Sequence, residues 1–342
     1  MQLISDQTQF HIEEPSAVAI GKFDGIHMGH RKLLEGLFAA KKEGLATAVF
    51  TFDPSPGAYF DALARQCRDV SHRDEPGYLE LMTREEKRKI FAEMGIDYLV
   101  EYPFNRETAA LPPEDYVNQI VLEQMQAKRI IAGDDVSFGK NGAGDEAMLR
   151  QLANAGGAEA VIIPKICWQQ IPISSTLVRE KVAEGEMEVA RELLGMPYFI
   201  MGRVETGNRI GRTLGMPTAN IYPDAGKLLP PNGVYFSTIR ILGEEGAETA
   251  EEAHTYFGIT NIGQKPTIRE KRSGISAETF LFDFDGDLYG KELSVSLLHF
   301  HRKEQQFDGL EALKEQMHKD RETCREYGHE INAEIKAARE HS

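Results

Sequence analysis

Ser16-Ala17-Val18-Ala19-Ile20-Gly21-Lys22-Phe23-Asp24-Gly25-Ile26-His27-Met28-Gly29-His30 decides how the first half of the chain folds. Its opening residues are small or apolar and run into a glycine, which reads as a short buried strand meeting a turn. Beyond the turn, Leu33, Leu34, Leu37 and Phe38 fall on one stripe at helical spacing, and the pattern stops at Gly44. Glycine ends helices because it adopts the left-handed conformation freely. Leu45 to Phe52 then reads as a second strand. Strand, helix and strand make one βαβ unit with a right-handed crossover. The pattern recurs more loosely. Strands are predicted at Asp97 to Glu101, Arg129 to Ala132 and Ala160 to Ile163, with a helix near Glu114 to Gln126. Parallel strands with interleaved helices imply a doubly wound α/β domain.

From about Tyr198 the pattern changes. Strand-like runs occur at Phe199 to Val204, Gly233 to Leu242, Thr255 to Ile259, Ala277 to Phe284 and Leu293 to Phe300. Turns such as Pro230-Pro231-Asn232-Gly233 separate them, and no helical pattern intervenes. Such a series predicts a small antiparallel barrel. An amphipathic helix closes the chain after Phe307, with Leu310, Leu313 and Met317 on one face. Gly243 to Ala253 carries Glu244, Glu245, Glu248, Glu251 and Glu252 without a basic residue, as a solvated hairpin loop would. Thr176 to Leu194 reads as two short helices split by Gly185. The boundary is expected between Arg179 and Tyr198, giving domains 1–184 and 185–342.

The 342 residues carry 39 Lys+Arg against 54 Asp+Glu, a formal charge of −15. That balance argues against non-specific binding to nucleic acid or to an anionic membrane, yet leaves room for a local nucleotide pocket. Hydrophobic content of 41% and charged content of 27% fit a globular protein. Cys67, Cys167 and Cys324 show no zinc or disulfide spacing, so a reducing cytoplasm is expected. Met1 to Pro15 has no secretory pattern, and no run approaches the ~18 apolar residues of a membrane span.

Chemistry concentrates in a few motifs. Gly21 to His30 lies between a strand's carboxyl end and a helix N-terminus, where phosphates bind. Gly21, Gly25 and Gly29 let backbone amides approach an anion, and His27 and His30 can face one point above the helix. Read blandly, this is a glycine-rich turn with incidental histidines. Gly133-Asp134-Asp135-Val136-Ser137-Phe138-Gly139 follows another strand. Ile173-Ser174-Ser175-Thr176-Leu177-Val178-Arg179 opens a helix, and an N-cap accounts for one of its hydroxyls. The arginine one turn later suits a phosphate clamp.

In the second half, Gly207-Asn208-Arg209-Ile210-Gly211-Arg212-Thr213-Leu214-Gly215-Met216-Pro217-Thr218-Ala219-Asn220 is glycine-rich and basic, without a Walker A pattern. Thr218 and Asn220 share one side of an extended segment and offer hard oxygen ligands for Mg²⁺. Period-two alternation places Glu278 with Phe280, Phe282 and Phe284. A carboxylate on an aromatic face needs a rim position or a task, and general base is one such task.

In this order, GxFDGxHxGH, GxDxxFG and SSTxxR resemble the adenylyltransferase half of the bacterial bifunctional riboflavin kinase/FAD synthetase family. LGxPTAN, Gly233-Val234-Tyr235, Asn261 to Thr267 (NIGxxPT) and Glu278 to Gly290 resemble its riboflavin kinase half. The resemblance implies a Rossmann-like nucleotidyltransferase domain followed by a β-barrel kinase domain with a terminal helix. It implies that His27 and His30 polarise ATP, with Gly21, Phe23 and Asp24 lining the pocket. Asp135, Ser174, Ser175, Thr176 and Arg179 would complete that site for ATP and FMN. In the kinase half, it implies Thr218 and Asn220 at Mg²⁺, and Gly207, Gly211 and Arg212 at the phosphates. Leu281, Asp283 and Tyr289 would lie near the nucleotide, Glu278 would be the base, and Arg302 and Asp320 would lie on the flavin side. The family usually has histidine where Ser55 stands and phenylalanine where Val136 stands. The expected substrates and products are riboflavin, FMN, FAD and ATP, handled by a monomer or weak homo-oligomer with no nucleic-acid or membrane partner. The competing readings are a kinase with a degenerate first half and a non-enzymatic flavin-binding regulator.

Overall fold

The strand β2 (Ser16–Ile20) buries Ala17, Val18 and Ala19 completely, as its apolar run requires. The structure, a computed structural model, describes residues 1–66, 77–205, 218–243, 255–264 and 274–340. Behind β2, helix α1 (Met28–Lys42) buries Leu33, Leu34, Leu37 and Ala40 on one face. Lys41 and Lys42 sit in its last turn, against the negative end of the helix dipole. Gly44 follows at φ 93, a conformation that costs glycine nothing.

β2 lies inside a six-stranded sheet with β1 (Gln2–Ser5), β3 (Ala46–Asp53), β4 (Tyr98–Pro103), β5 (Ala127–Gly133) and β6 (Glu159–Ile163). The order is β1-β4-β3-β2-β5-β6, and every pairing is parallel. The direction of the order reverses between β2 and β5. Their carboxyl ends therefore open a crevice, the usual ligand position of such sheets. The other helices are α2 (Pro56–Gln66), α3 (Arg84–Glu93), α4 (Pro113–Asp115, running on as a π-helix over Tyr116–Gln124) and α5 (Glu146–Ala155). A capping box between Thr83 and Glu86 starts α3. Arg84 and Arg88 on α3 both reach Glu101 of β4 at 2.6 Å, which neutralises a carboxylate only 2% exposed. A hairpin of β7 (Cys167–Trp168) and β8 (Ile171–Pro172) precedes α6 (Ser175–Glu184).

α6 and α7 (Met187–Leu194) are divided at Gly185, which has φ 81. The second sheet holds β9 (Tyr198–Arg203), β10 (Thr218–Ile221), β11 (Gly233–Leu242), β12 (Thr255–Gln264), β13 (Ile275–Leu281) and β14 (Glu292–Arg302). Its order is β10-β13-β12-β11-β14-β9, every pairing antiparallel. Glu205 N–H donates to Asn220 O at 2.9 Å and brings the two edges together. The concave side buries Tyr235, Ile262, Ala277, Leu293, Val295 and Leu297. It also holds a line of fully buried hydroxyls, Ser237 to Thr260 at 2.8 Å and Thr260 to Thr279 at 2.9 Å, which satisfy one another. The convex side contributes Val234, Phe236, Ile259, Phe280 and Phe282 to a second cluster. Cys324, Met317 and Tyr327 of the closing helix α8 (Leu310–Glu340) cover it.

The structure differs from the sequence reading in places. β1 is an edge strand of four residues, too short for a pattern, and α2 buries no residue fully, so it has no clean apolar stripe. β12 runs on to Gln264. β13 stops at Leu281 because Asp283 turns to φ 55. Phe284 thus leaves the row of Glu278 and Phe280 and packs edge-on against Tyr256, at 5.2 Å between centroids. The five glutamates of the acidic run lie outside the described residues. The chain divides into two compact units, Met1–Val178 and Arg179–Ser342.

Candidate active sites

His27 is the N-cap of α1, and its Nδ1 accepts the backbone N–H of His30 at 3.4 Å. A ring nitrogen that accepts carries no proton, so neutral His27 keeps its proton on Nε2. The two imidazoles stack at 3.8 Å and 20°. Burial pushes His27 down to about 4, against the charge of nearby Asp135. Burial, then the neighbouring His27, hold His30 well below its ordinary value. At neutral pH the pair therefore presents N–H dipoles rather than full charges. His30 Nδ1 is sealed from solvent and has no hydrogen-bond partner among the described residues. Gly29 lets the His27 ring lie close, since a Cβ here would stand 3.1 Å from His27 Nδ1 and Cε1 and the ring would have to give by a few tenths of an ångström.

The rest of the loop is braced from a distance. Phe23 is fully buried and packs against His30 at 5.0 Å and edge-on to Phe91 at 5.5 Å. A Cβ on Gly21 would press that ring at 3.0 Å. Phe23 and Ile26 have φ 49 and 46, strained values that the surrounding contacts must hold. Asp24 Oδ1 accepts the backbone amides of Leu81 at 2.8 Å and Met82 at 3.2 Å, so its carboxylate shapes the loop. Ser175 Oγ donates to Asp24 O at 2.8 Å, which joins the start of α6 to the histidine loop. Ser174 Oγ caps α6 by accepting Leu177 N–H at 3.3 Å. Two of the three hydroxyls thus have structural work, and Thr176 is exposed. Arg179 is half-buried one turn beyond Ser175 on the same helix. Asp135 is exposed and pairs with Lys165 at 3.2 Å.

Ser55 Oγ accepts Ala58 N–H at 3.3 Å and caps α2, and half-buried Val136 packs on the main apolar cluster. The sequence reading missed an aromatic group at the end of β3 and the start of α2. Phe104 lies 5.0 Å from Phe52, 5.3 Å from Tyr59 and 5.8 Å from Phe60. Phe60 is 55% exposed, unusual for so large an apolar ring. The signal was the aromatic spacing of Phe50, Phe52, Tyr59 and Phe60, which the expected strand end left unexplained.

In the second unit Asn220 of β10 stands opposite Glu278 of β13, which stands opposite Asn261 of β12. Residues so paired have Cβ atoms about 5 Å apart, so an amide flanks the carboxylate on each side. Thr218 is opposite Phe280, one step along the same face. Asn261 Nδ2 donates to Glu304 Oε1 at 3.0 Å, a partner the sequence reading did not single out. Leu281 is buried on the inward side of β13, while Asp283 pairs with Arg321 and Arg325 at 2.9 Å. Tyr289 is 37% exposed in the turn before β14. Gly207, Gly211 and Arg212 lie outside the described residues. Arg302 grips Asp320 through Nη2 at 2.7 Å and Nε at 3.1 and 3.2 Å. Burial alone would raise the Asp320 carboxyl, but hydrogen bonds from His301, Arg302 and Gln316 and the arginine's charge hold it far below the ordinary carboxylate range.

The two units define a nucleotide-handling α/β domain followed by a curled antiparallel domain with a covering helix, and the comparisons agree with that division. An FAD synthetase family model matches residues 9–177, and a riboflavin kinase model matches residues 194–328. The Escherichia coli (strain K12) bifunctional riboflavin kinase/FMN adenylyltransferase is 34% identical over 316 residues, 92% of this chain and 93% of that one. The proteins of the same description from Listeria monocytogenes and Bacillus subtilis are each 33% identical, over 91% of this chain and 91% and 92% of theirs. A crystal structure described as a macrolide-efflux protein from Streptococcus pneumoniae matches with a TM-score of 0.76 and 28% identity, covering 95% of this chain and 98% of that one. Among the described residues here, no helix is long and apolar enough to cross a membrane. The chain belongs to the bifunctional riboflavin kinase/FMN adenylyltransferase family.

Proposed function

We propose that the chain converts riboflavin to FMN in its second unit and FMN to FAD in its first, using ATP in both steps. The observation that carries the two-step reading is the intact His27–His30 stack at the N-terminus of α1, where the parallel sheet opens its crevice. A kinase with a degenerate first half would have no use for two neutral imidazoles held in register. A binding protein would have no use for Glu278 between two amides.

In the second unit, Glu278 takes the proton of the ribityl 5′-hydroxyl while that oxygen attacks the γ-phosphorus, and ADP leaves. Thr218 Oγ1 and Asn220 Oδ1 are hard oxygen donors on one face beside that carboxylate, a donor set that fits Mg²⁺. When bound, Mg²⁺ would neutralise charge on the ATP phosphates. Gly207, Gly211 and Arg212 are assigned to the phosphates, Leu281, Asp283 and Tyr289 to the nucleotide's surroundings, and Arg302 and Asp320 to the flavin. The buried side chain of Leu281 restricts it to shaping the pocket wall.

In the first unit an FMN phosphate oxygen attacks the α-phosphorus of ATP and pyrophosphate leaves. His27 Nε2–H and His30 donate to the oxygens on which charge develops, and positioning does the rest. Gly21, Phe23 and Asp24 shape the loop, Ser174, Ser175 and Thr176 hold the start of α6, and Arg179, further along that helix just past Val178, is assigned to phosphate. Asp135 lies on the FMN side. The isoalloxazine ring packs against the exposed ring of Phe60, which Phe104 meets edge-on at 5.8 Å between centroids. The activities divide at 184/185, where α6 meets Gly185. The protein acts in the cytoplasm as a monomer or weak homo-oligomer, on small molecules rather than nucleic acid or membrane.

One incubation tests the reading. Riboflavin, ATP and Mg²⁺ are mixed with the protein and the products resolved by chromatography. FAD is expected. FMN alone would support the degenerate alternative, and no product would leave only a binding role.

A further inference from the structure

We infer that His301 is a positioning residue of the kinase unit, acting through Asp320 on Arg302. The inference rests on the proposed placing of Arg302 on the flavin side. His301 Nε2 lies 3.1 Å from Asp320 Oδ1, and its ring stacks on Phe236 at 4.5 Å and 25°. Phe236 is itself buried, so the imidazole has a fixed plane from which to meet the carboxylate. Asp320, with its side chain 2% exposed, receives donors from three residues. Oδ1 accepts from His301, from Gln316 Nε2 at 2.8 Å and from Arg302 Nε at 3.1 Å, and Oδ2 accepts Arg302 Nη2 at 2.7 Å. His301 and Gln316 therefore pin Oδ1 from the sides, which aims Oδ2 at the guanidinium.

The guanidinium has five N–H bonds. Asp320 occupies those of Nε and one of Nη2, and Lys303 O takes one of Nη1 at 3.2 Å. One N–H on each terminal nitrogen is left, among the described residues, in a plane set by Asp320. Phe307 covers one face of that plane, 5.9 Å from Cζ. A planar pair of donors of this kind recognises adjacent acceptors on a substrate, and its value depends on orientation. With Gln316 alone beside the arginine, Oδ1 has one lateral anchor and the carboxylate can turn with the guanidinium; the second anchor at His301 holds its orientation. His301 thus sets how firmly substrate is bound and leaves proton transfer at Glu278 untouched.

The test uses the full chain and measures riboflavin KM and kcat for His301→Leu, His301→Gln and Arg302→Ala, with FAD formation from supplied FMN as a control for folding. For His301→Leu, KM for riboflavin should rise about tenfold, the scale of one lost hydrogen bond to a charged group, with kcat within about twofold. His301→Gln, which keeps an N–H donor, should recover most of that loss. Unchanged KM in His301→Leu, or a fall in kcat that His301→Gln does not rescue, overturns the positioning role. A lower melting temperature without a KM change also overturns it, by showing a purely structural contact. If Arg302→Ala leaves riboflavin KM unchanged, the flavin-side placing of Arg302 is wrong and the inference falls with it. If Arg302→Ala raises KM and His301→Leu does not, the inference alone fails.

Discussion

His27→Asn should flatten the acid sensitivity of the first unit. In the folded chain, burial of its ring pushes His27 down to about 4, so it stays neutral until well into acid. In the unfolded chain it protonates near its ordinary value of about 6.5. Between these values the unfolded state binds the extra proton, so stability falls as the pH falls. Linkage puts the loss at about 2 kcal/mol on going from pH 7.5 to pH 5, approaching about 3 kcal/mol once the pH drops below 4. Asparagine is a good N-cap and does not titrate, so the substitution keeps the cap and removes the proton uptake. Trp168 is the chain's single tryptophan and lies in the first unit, so its fluorescence during urea unfolding reports on that unit. The wild type should lose about 2 kcal/mol more than His27→Asn between pH 7.5 and pH 5. Equal pH slopes in the two proteins, or a wild type that gains stability in acid, would refute a neutral capping histidine.

Three further outcomes follow from the same geometry. Glu278→Gln should lower FMN formation by roughly 10²–10⁴-fold and leave FAD formation from supplied FMN intact, as separate assays with riboflavin and with FMN would show. His30→Ala should do the converse and cost on the order of 10²–10³-fold in adenylyl transfer; a rate within a few-fold of wild type would remove His30 from the site. Gly29→Ala gains up to about 1 kcal/mol of helix propensity, yet its Cβ at 3.1 Å displaces the His27 ring, so thermal stability should hardly move while FAD synthesis drops.

What the sequence revealed, and what it hid, follows from the range of the interactions. The strand before Gly21, the helix after it and the spacing of His27 and His30 are local, and the structure realises them as a capped helix with stacked rings. The brace on the same loop is not local. Asp24 binds amides at Leu81 and Met82, and backbone donors leave no mark on a sequence. Likewise Glu278 was visible as a carboxylate among aromatics, but its flanking amides come from register across three strands. Alternation carried the row too far, to Phe284, because the left-handed turn at Asp283 falls on a residue type with no obligation to make it. The convergence of His301, Arg302 and Gln316 on Asp320 joins a strand end to a helix turn far along the chain. Periodicity has nothing to say about such a pairing.

The hydrogen bond from Glu205 N–H to Asn220 O closes the curled sheet beside the residues assigned to magnesium. It also fixes where the intervening stretch, residues 206–217, must depart and return. Asn220 is thereby held through its main chain, independently of the side-chain oxygen assigned to the metal. A proline at Glu205 would remove the donor and unclasp the seam.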